Sequence, residues 1–161
     1  MNNFNQTLLE DLKIADEDKY KIFSLKGVIT YGKIISNYDG DTADCILIYN
    51  DTFMRYKVRL FGYDSPEMKP SLSIKDRDEI KIKAIEAKKR LWNFCSGLDD
   101  LNEKFHKKII KIVCDDFDKY GRLLITAYDY DYNDILDFDY SINKKMIDEG
   151  HGYAYLGGTK K

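Results

Sequence analysis

Apolar residues change their period twice along this chain. From Ile22 to Ile35, apolar and β-branched residues dominate, broken by Gly27 and Gly32. This predicts strand with bends. "YDGDT" (38–42) predicts a turn, because Asp and Gly favour turn backbones. A second strand, "ADCILIY", follows, and "NDT" (50–52) turns the chain into a third, "FMRYKVRLFG". In that third strand Met54, Tyr56, Val58 and Leu60 share one face, while Arg55, Lys57 and Arg59 share the other. After Pro70 the period becomes helical. Ile80, Ala84, Ala87, Leu91 and Phe94 or Cys95 recur every three or four residues. They predict a helix over about 75–96, closed by Gly97. "KKIIKIVCDDF", "DKYG" and "RLLITAYDY" then read as strand, turn and strand. Ser141 can cap a short helix, "INKKMIDEG", that Gly150 closes.

Three strands, a helix, two strands and a helix give an α+β domain. The bends and glycines favour a small closed barrel, and the count fits a five-stranded OB-type β-barrel with two to three helices packed against it. Residues 1–21 form a polar, acidic N-terminal extension, either a short helix or disordered. "TLLE" (7–10) there has the form of a helix-start capping box. Leu8, Leu9, Leu12 and Ala15 could make one apolar stripe. The domain proper is expected over 22–156, with a flexible C-terminal tail at 157–161. The acidic, aromatic stretch 128–140 shows no clear period.

Composition narrows the function classes. A chain of 161 residues suits one domain, and 43% apolar residues suffice for a core. No apolar run approaches the ~18 residues of a membrane span, so no membrane partner is expected. The start lacks a basic segment followed by an apolar one, so no signal peptide is read and an intracellular location is expected. Three scattered cysteines and two distant histidines make a disulfide framework or a Cys/His zinc site improbable. His106 and His151 have no evident partners and read as ordinary surface or barrel-edge residues.

The net charge of -2 hides a pattern. Residues 69–90 hold eight Lys/Arg against four Asp/Glu, 104–111 hold four Lys and no acid, and 115–139 hold eight Asp against two basic residues. Such runs are usually solvated faces. They can also form a basic surface for phosphates beside an acidic pocket for a cation.

Three constellations carry candidate chemistry. Asp39-Gly40-Asp41-Thr42 is by default a turn, though its two acids could face a cation. It is not an EF-hand loop, since the further ligand offsets are missing. Arg59, at a strand end, precedes Asp64-Ser65-Pro66-Glu67, where Pro66 stiffens a loop holding two carboxylates. These could bind a hard cation or act as a base toward water, or could simply salt-bridge Arg59. Asp118-Lys119-Tyr120-Gly121-Arg122 reads alone as a hairpin turn. With Arg59 it offers a pair of guanidinium groups, each able to grip two phosphate oxygens. Together the pieces suit hydrolysis of a phosphodiester, which needs a base, positive charge for the growing negative charge, and tyrosines for stacking on bases. No Ser/His/Asp or Cys/His nucleophile set is present.

With "YDGDT", "VRLFGYDSPE" and "DKYGR" in that order, the sequence resembles the staphylococcal nuclease (thermonuclease) family over about residues 22–156. The resemblance implies an OB-type barrel and a calcium-dependent endonuclease acting on DNA and RNA. It implies a Ca2+ site made by Asp41, Asp64 and the carbonyl of Ser65, with Asp39 nearby. Glu67 is implied as the general base that orients water, and Arg59 and Arg122 as the phosphate clamp. Lys119 and Tyr120 are implied beside the nucleotide, joined by Tyr155 or, less well placed, Tyr153. In the family the 5′-O–P bond breaks and a 3′-phosphate remains. Ser65 stands where Thr is common, and the N-terminal extension has no counterpart. Two other functions compete: a non-catalytic OB-fold module binding single-stranded nucleic acid, and an interaction module using the acidic 115–139 segment. Neither needs two Arg, the Asp pair and Glu67 together.

Overall fold

A computed structural model describes residues 5–156. Five strands close a barrel: β1 (Ile29–Asn37), β2 (Thr42–Tyr49), β3 (Thr52–Leu60), β5 (Ile110–Phe117) and β6 (Leu123–Asp129). Their order around the barrel is β1-β2-β3-β6-β5, and β5 pairs back onto β1. Every pairing is antiparallel except β3 with β6. Each of the five strands thus has a partner on both sides. The expected α+β, OB-type architecture is therefore present.

The strands pack a common interior of Ile34, Cys45, Leu47, Val58, Leu60, Ile110, Ile112, Leu123 and Ile125, all buried. Helix α2 (Arg77–Ser96) lies along β1 and adds Ala87, Leu91, Trp92 and Cys95. Its end is set by Gly97 in the left-handed region, φ 76°, as the sequence predicts. Helix α3 (Ile142–Asp148) starts at Ser141, whose hydroxyl accepts from the Lys144 N–H at 3.0 Å. Its Asn143 is fully buried. The Asn143 amide donates to the Phe61 and Ile125 carbonyls at 2.9 and 3.0 Å, and its oxygen accepts from the Ala127 N–H at 3.0 Å. One side chain thus ties α3 to β6 and to the chain leaving β3. A two-stranded ladder of β4 (Tyr63–Asp64) and β7 (Tyr153–Ala154) completes the fold.

Several expectations are corrected. Strand does not begin at Ile22: the chain there turns at Gly27, φ 82°, and β1 starts at Ile29, with only Leu25 of the preceding stretch buried. Helix α1 (Gln6–Lys13) forms, but its cap is Asn5, which accepts from the Thr7 N–H at 3.0 Å. Thr7 is therefore inside the helix and opens no capping box. None of α1's residues is buried, so it does not pack on the barrel. His106 is no surface residue: it is 7% exposed, its Nε2 lies 2.7 Å from the Ile34 carbonyl, and its ring meets Trp92 edge-on. His151 lies 3.7 Å from Glu149. The outer half of β3 extends past the core, so Met54 is exposed and Tyr56 half-buried although both share the face of Val58. The three cysteines are free and buried. No helix among the described residues is long and apolar enough to cross a membrane. The tail at 157–161 lies outside the described residues.

Candidate active site

The turn between β1 and β2 is organised by Asp39. Its carboxylate accepts from the N–H groups of Asp41 and Thr42 at 3.0 and 2.7 Å, an Asx turn. Gly40 lets this turn lie flat on its neighbours. A Cβ there would stand 2.7 Å from Ala87 Cβ on α2 and 2.8 Å from Ser65 Cβ. The buried Tyr63 hydroxyl donates to the Gly40 carbonyl at 2.6 Å. These contacts press the 38–42 turn against the Asp64–Glu67 loop, 24 residues on, and the Ser65 N–H donates to Asp41 Oδ2 at 2.9 Å.

Arg59 reaches the same point from β3, where it pairs with Thr42. Its guanidinium donates to the Tyr63 carbonyl at 3.2 Å and to Asp64 Oδ1, and lies 3.6 Å from Asp41 Oδ2. Both acids are nearly out of solvent, Asp41 at 7% and Asp64 at 2% exposure. Two buried carboxylates thus converge on one positive group, as desolvated charges must. Asp39 is less fortunate: burial, and the charge of Asp41, push its pKa above the usual carboxylate value.

The third constellation closes the opposite wall. Asp118 accepts from the Tyr120 and Arg122 N–H groups, both at 2.9 Å, and from Arg122 Nε at 2.7 Å. Burial alone would raise its pKa, but these hydrogen bonds outweigh burial and hold it below the usual value. Gly121, φ 77°, makes the turn that brings Arg122 back onto Asp118. Arg122 Nη1 donates to the Thr42 hydroxyl at 3.3 Å, and that hydroxyl donates to Asp41 Oδ1 at 2.9 Å. Thr42 therefore links the acid pair to the second Arg. Tyr120 has Lys119 and Arg122 near its ring, at 5.1 and 5.4 Å.

A cavity of about 570 Å³ joins these parts. Asp39, Asp41, Arg59, Asp64, Ser65, Glu67, Lys119, Tyr120, Arg122 and Tyr155 all line it. Every residue expected at the site from sequence is on its wall except Tyr153, whose hydroxyl lies 3.3 Å from Asp64 Oδ2. Tyr155 is held by its N–H on the Gly62 carbonyl at 2.9 Å, with its ring 5.9 Å from Arg59 Cζ. Gly152 allows β7 this close: a Cβ there would stand 2.9 Å from the Asp64 carbonyl. Asp118, Thr42 and Tyr63 complete the site without having been singled out. Asp118 and Thr42 each lie within a quoted motif; the Gly121 turn brings Asp118 to Arg122, whereas only the pairing of strands brings Thr42 there.

Among the described residues no group of three or more His, Cys, Asp and Glu is arranged as a metal cage. The donor set still suits a hard cation completed by carbonyl, water or phosphate oxygens. Five carboxylates (Asp39, Asp41, Asp64, Glu67, Asp118) against three cationic side chains line the cavity. The space beside Asp41 Oδ2 and Asp64 Oδ1 already attracts a positive group, Arg59. Compared with models of protein families and with curated proteins, the chain matches none.

Proposed function

We propose that this protein is a calcium-dependent phosphodiesterase, an endonuclease that hydrolyses DNA and RNA by attack of water at phosphorus. The observation that carries the reading is convergence. Arg59, Arg122, Glu67, Asp41 and Asp64 come from three separate stretches and line one cavity. The same residues carry the resemblance to the staphylococcal nuclease family, and two guanidinium groups in one cavity suit a phosphate.

Arg59 and Arg122 grip the phosphate oxygens and offset the charge that grows on them. Glu67, exposed on the cavity wall, takes a proton from the attacking water. The new P–O bond forms as the bond from phosphorus to the 5′-oxygen breaks. That oxygen takes a proton from solvent water as it leaves, Glu67 returns its proton to solvent, and the phosphate stays on the 3′ side. Calcium, held by Asp41, Asp64 and the Ser65 carbonyl, would supply further positive charge at the phosphate. Tyr120 and Tyr155 offer ring faces to the neighbouring bases, worth roughly 1–3 kcal/mol for each base stacked. Asp118 keeps Arg122 aimed into the cavity through its bidentate contact.

The test is product analysis on end-labelled single-stranded DNA and RNA with calcium present. The reading expects internal cuts that leave 3′-phosphates and stop on chelation. Retention of intact strands without any cut contradicts it and leaves a binding module.

A further inference from the structure

Residues 5–24 carry seven large apolar side chains (Leu8, Leu9, Leu12, Ile14, Tyr20, Ile22, Phe23) and bury none. Leu8, Leu9 and Leu12 form one stripe on α1. A helix of eight residues is marginal in water, where ~12–15 residues are needed even for good helix formers. Short helices are held by packing an apolar face on something. The stripe lies in acidic company: residues 5–18 hold Glu10, Asp11, Asp16, Glu17 and Asp18 against Lys13. This charge disfavours an anionic membrane and favours a basic, apolar surface.

The molecule has such a surface. Ile82 and Ile85 stand exposed on the outer side of α2, preceded by exposed Leu72 and Ile74. Lysines flank them at 75, 81, 83, 88 and 89, within the segment whose eight basic residues outnumber its four acids. The other apolar groove, lined by Phe61, Val113, Tyr128, Leu136 and Phe138, is a poor receptor for α1. It adjoins the acidic 128–140 stretch, of the same sign as α1.

We propose that α1 of one copy docks its leucine stripe on the outer face of α2 in a second copy, the two copies exchanging helices about a two-fold axis. One contact of a few side chains falls short of the roughly 1,200 Å² of a stable interface, whereas reciprocal exchange doubles it. The acids of α1 then face the lysines of α2, so the association weakens with salt. This inference is independent of the nuclease reading.

Sedimentation of the full chain across a wide concentration range, at low and high salt, tests it. The expected result is a shift from 18.9 kDa to twice that mass as concentration rises, at lower concentration in low salt. L8D/L12D on α1 and, separately, I82D/I85D on α2 should each leave a monomer with an unchanged melting temperature, because all four positions are exposed. A monomer throughout, or a dimer that survives in either variant, overturns the proposal. So does amide protection of α1 that is equal at all concentrations, which would place α1 on its own barrel.

Discussion

Arg59 lies against two buried acids, and the same guanidinium is proposed to hold substrate. The two duties separate in a variant. Arg59→Ala leaves Asp41 and Asp64 without their cationic neighbour, and breaking such a buried pair costs about 3–5 kcal/mol. Losing the guanidinium removes a positive charge that would compete with a cation for these carboxylates. Calorimetry should therefore find calcium bound more tightly by Arg59→Ala than by the parent, while cleavage falls by orders of magnitude. Weaker calcium binding in the variant would mean that the ion does not use Asp41 and Asp64. Asp118 gives a second test, through pH. Its folded-state pKa is lowered, so its contribution is present above the unfolded carboxylate pKa of about 3.9. That contribution is lost as pH falls through the lowered folded value. Asp118→Asn should thus be less stable than the parent near neutrality, and the gap should close in strong acid. Denaturation midpoints over that range check it, and a gap independent of pH would contradict the role given to this ion pair. Asp39 contributes with the opposite sign: its raised pKa weakens the fold as pH climbs through it.

Elements with a repeat were readable, as was α3 from its Ser141 cap, whereas the shortest ladder was not. The α2 period reads true because Ala84, Ala87, Leu91 and Cys95 do face the core. Strands β2, β3, β5 and β6 read true because they alternate or run apolar over seven to nine residues. The β4–β7 ladder has two residues a side, too few for any pattern, yet it sets Asp64 opposite Tyr153. The stretch 22–28 has strand composition, but its apolar side chains largely stay in solvent and Gly27 bends it away. Asn143 was equally hidden, since a polar residue in a short helix signals nothing until its partners are seen. It satisfies three buried backbone groups on two elements. Asn143→Ala should cost about 3 kcal/mol in denaturant unfolding, by roughly one per lost hydrogen bond. A loss within the scatter of surface substitutions, about ±0.5 kcal/mol, would show that α3 is held by Ile142 and Met146 alone.

At the scale of the whole molecule, the barrel acts as a frame that gathers short motifs far apart in sequence. The motifs suggest a chemistry; the pairing of Thr42 with Arg59 and the parallel pairing of β3 with β6 bring them to one cavity. That gathering could not be read from spacing, because it depends on which strands neighbour each other after closure. The central claim is that the cavity cuts phosphodiesters with Glu67 as base. The most direct measurement is a gel assay on single- and double-stranded DNA, with calcium or chelator, comparing the parent with Glu67→Gln. Glu67 is exposed, so the variant should melt with the parent. The account predicts calcium-dependent cleavage that falls about 10²–10⁴-fold in the variant, the range for losing a general base. Binding without cleavage in every metal, or a variant as active as the parent, would contradict it.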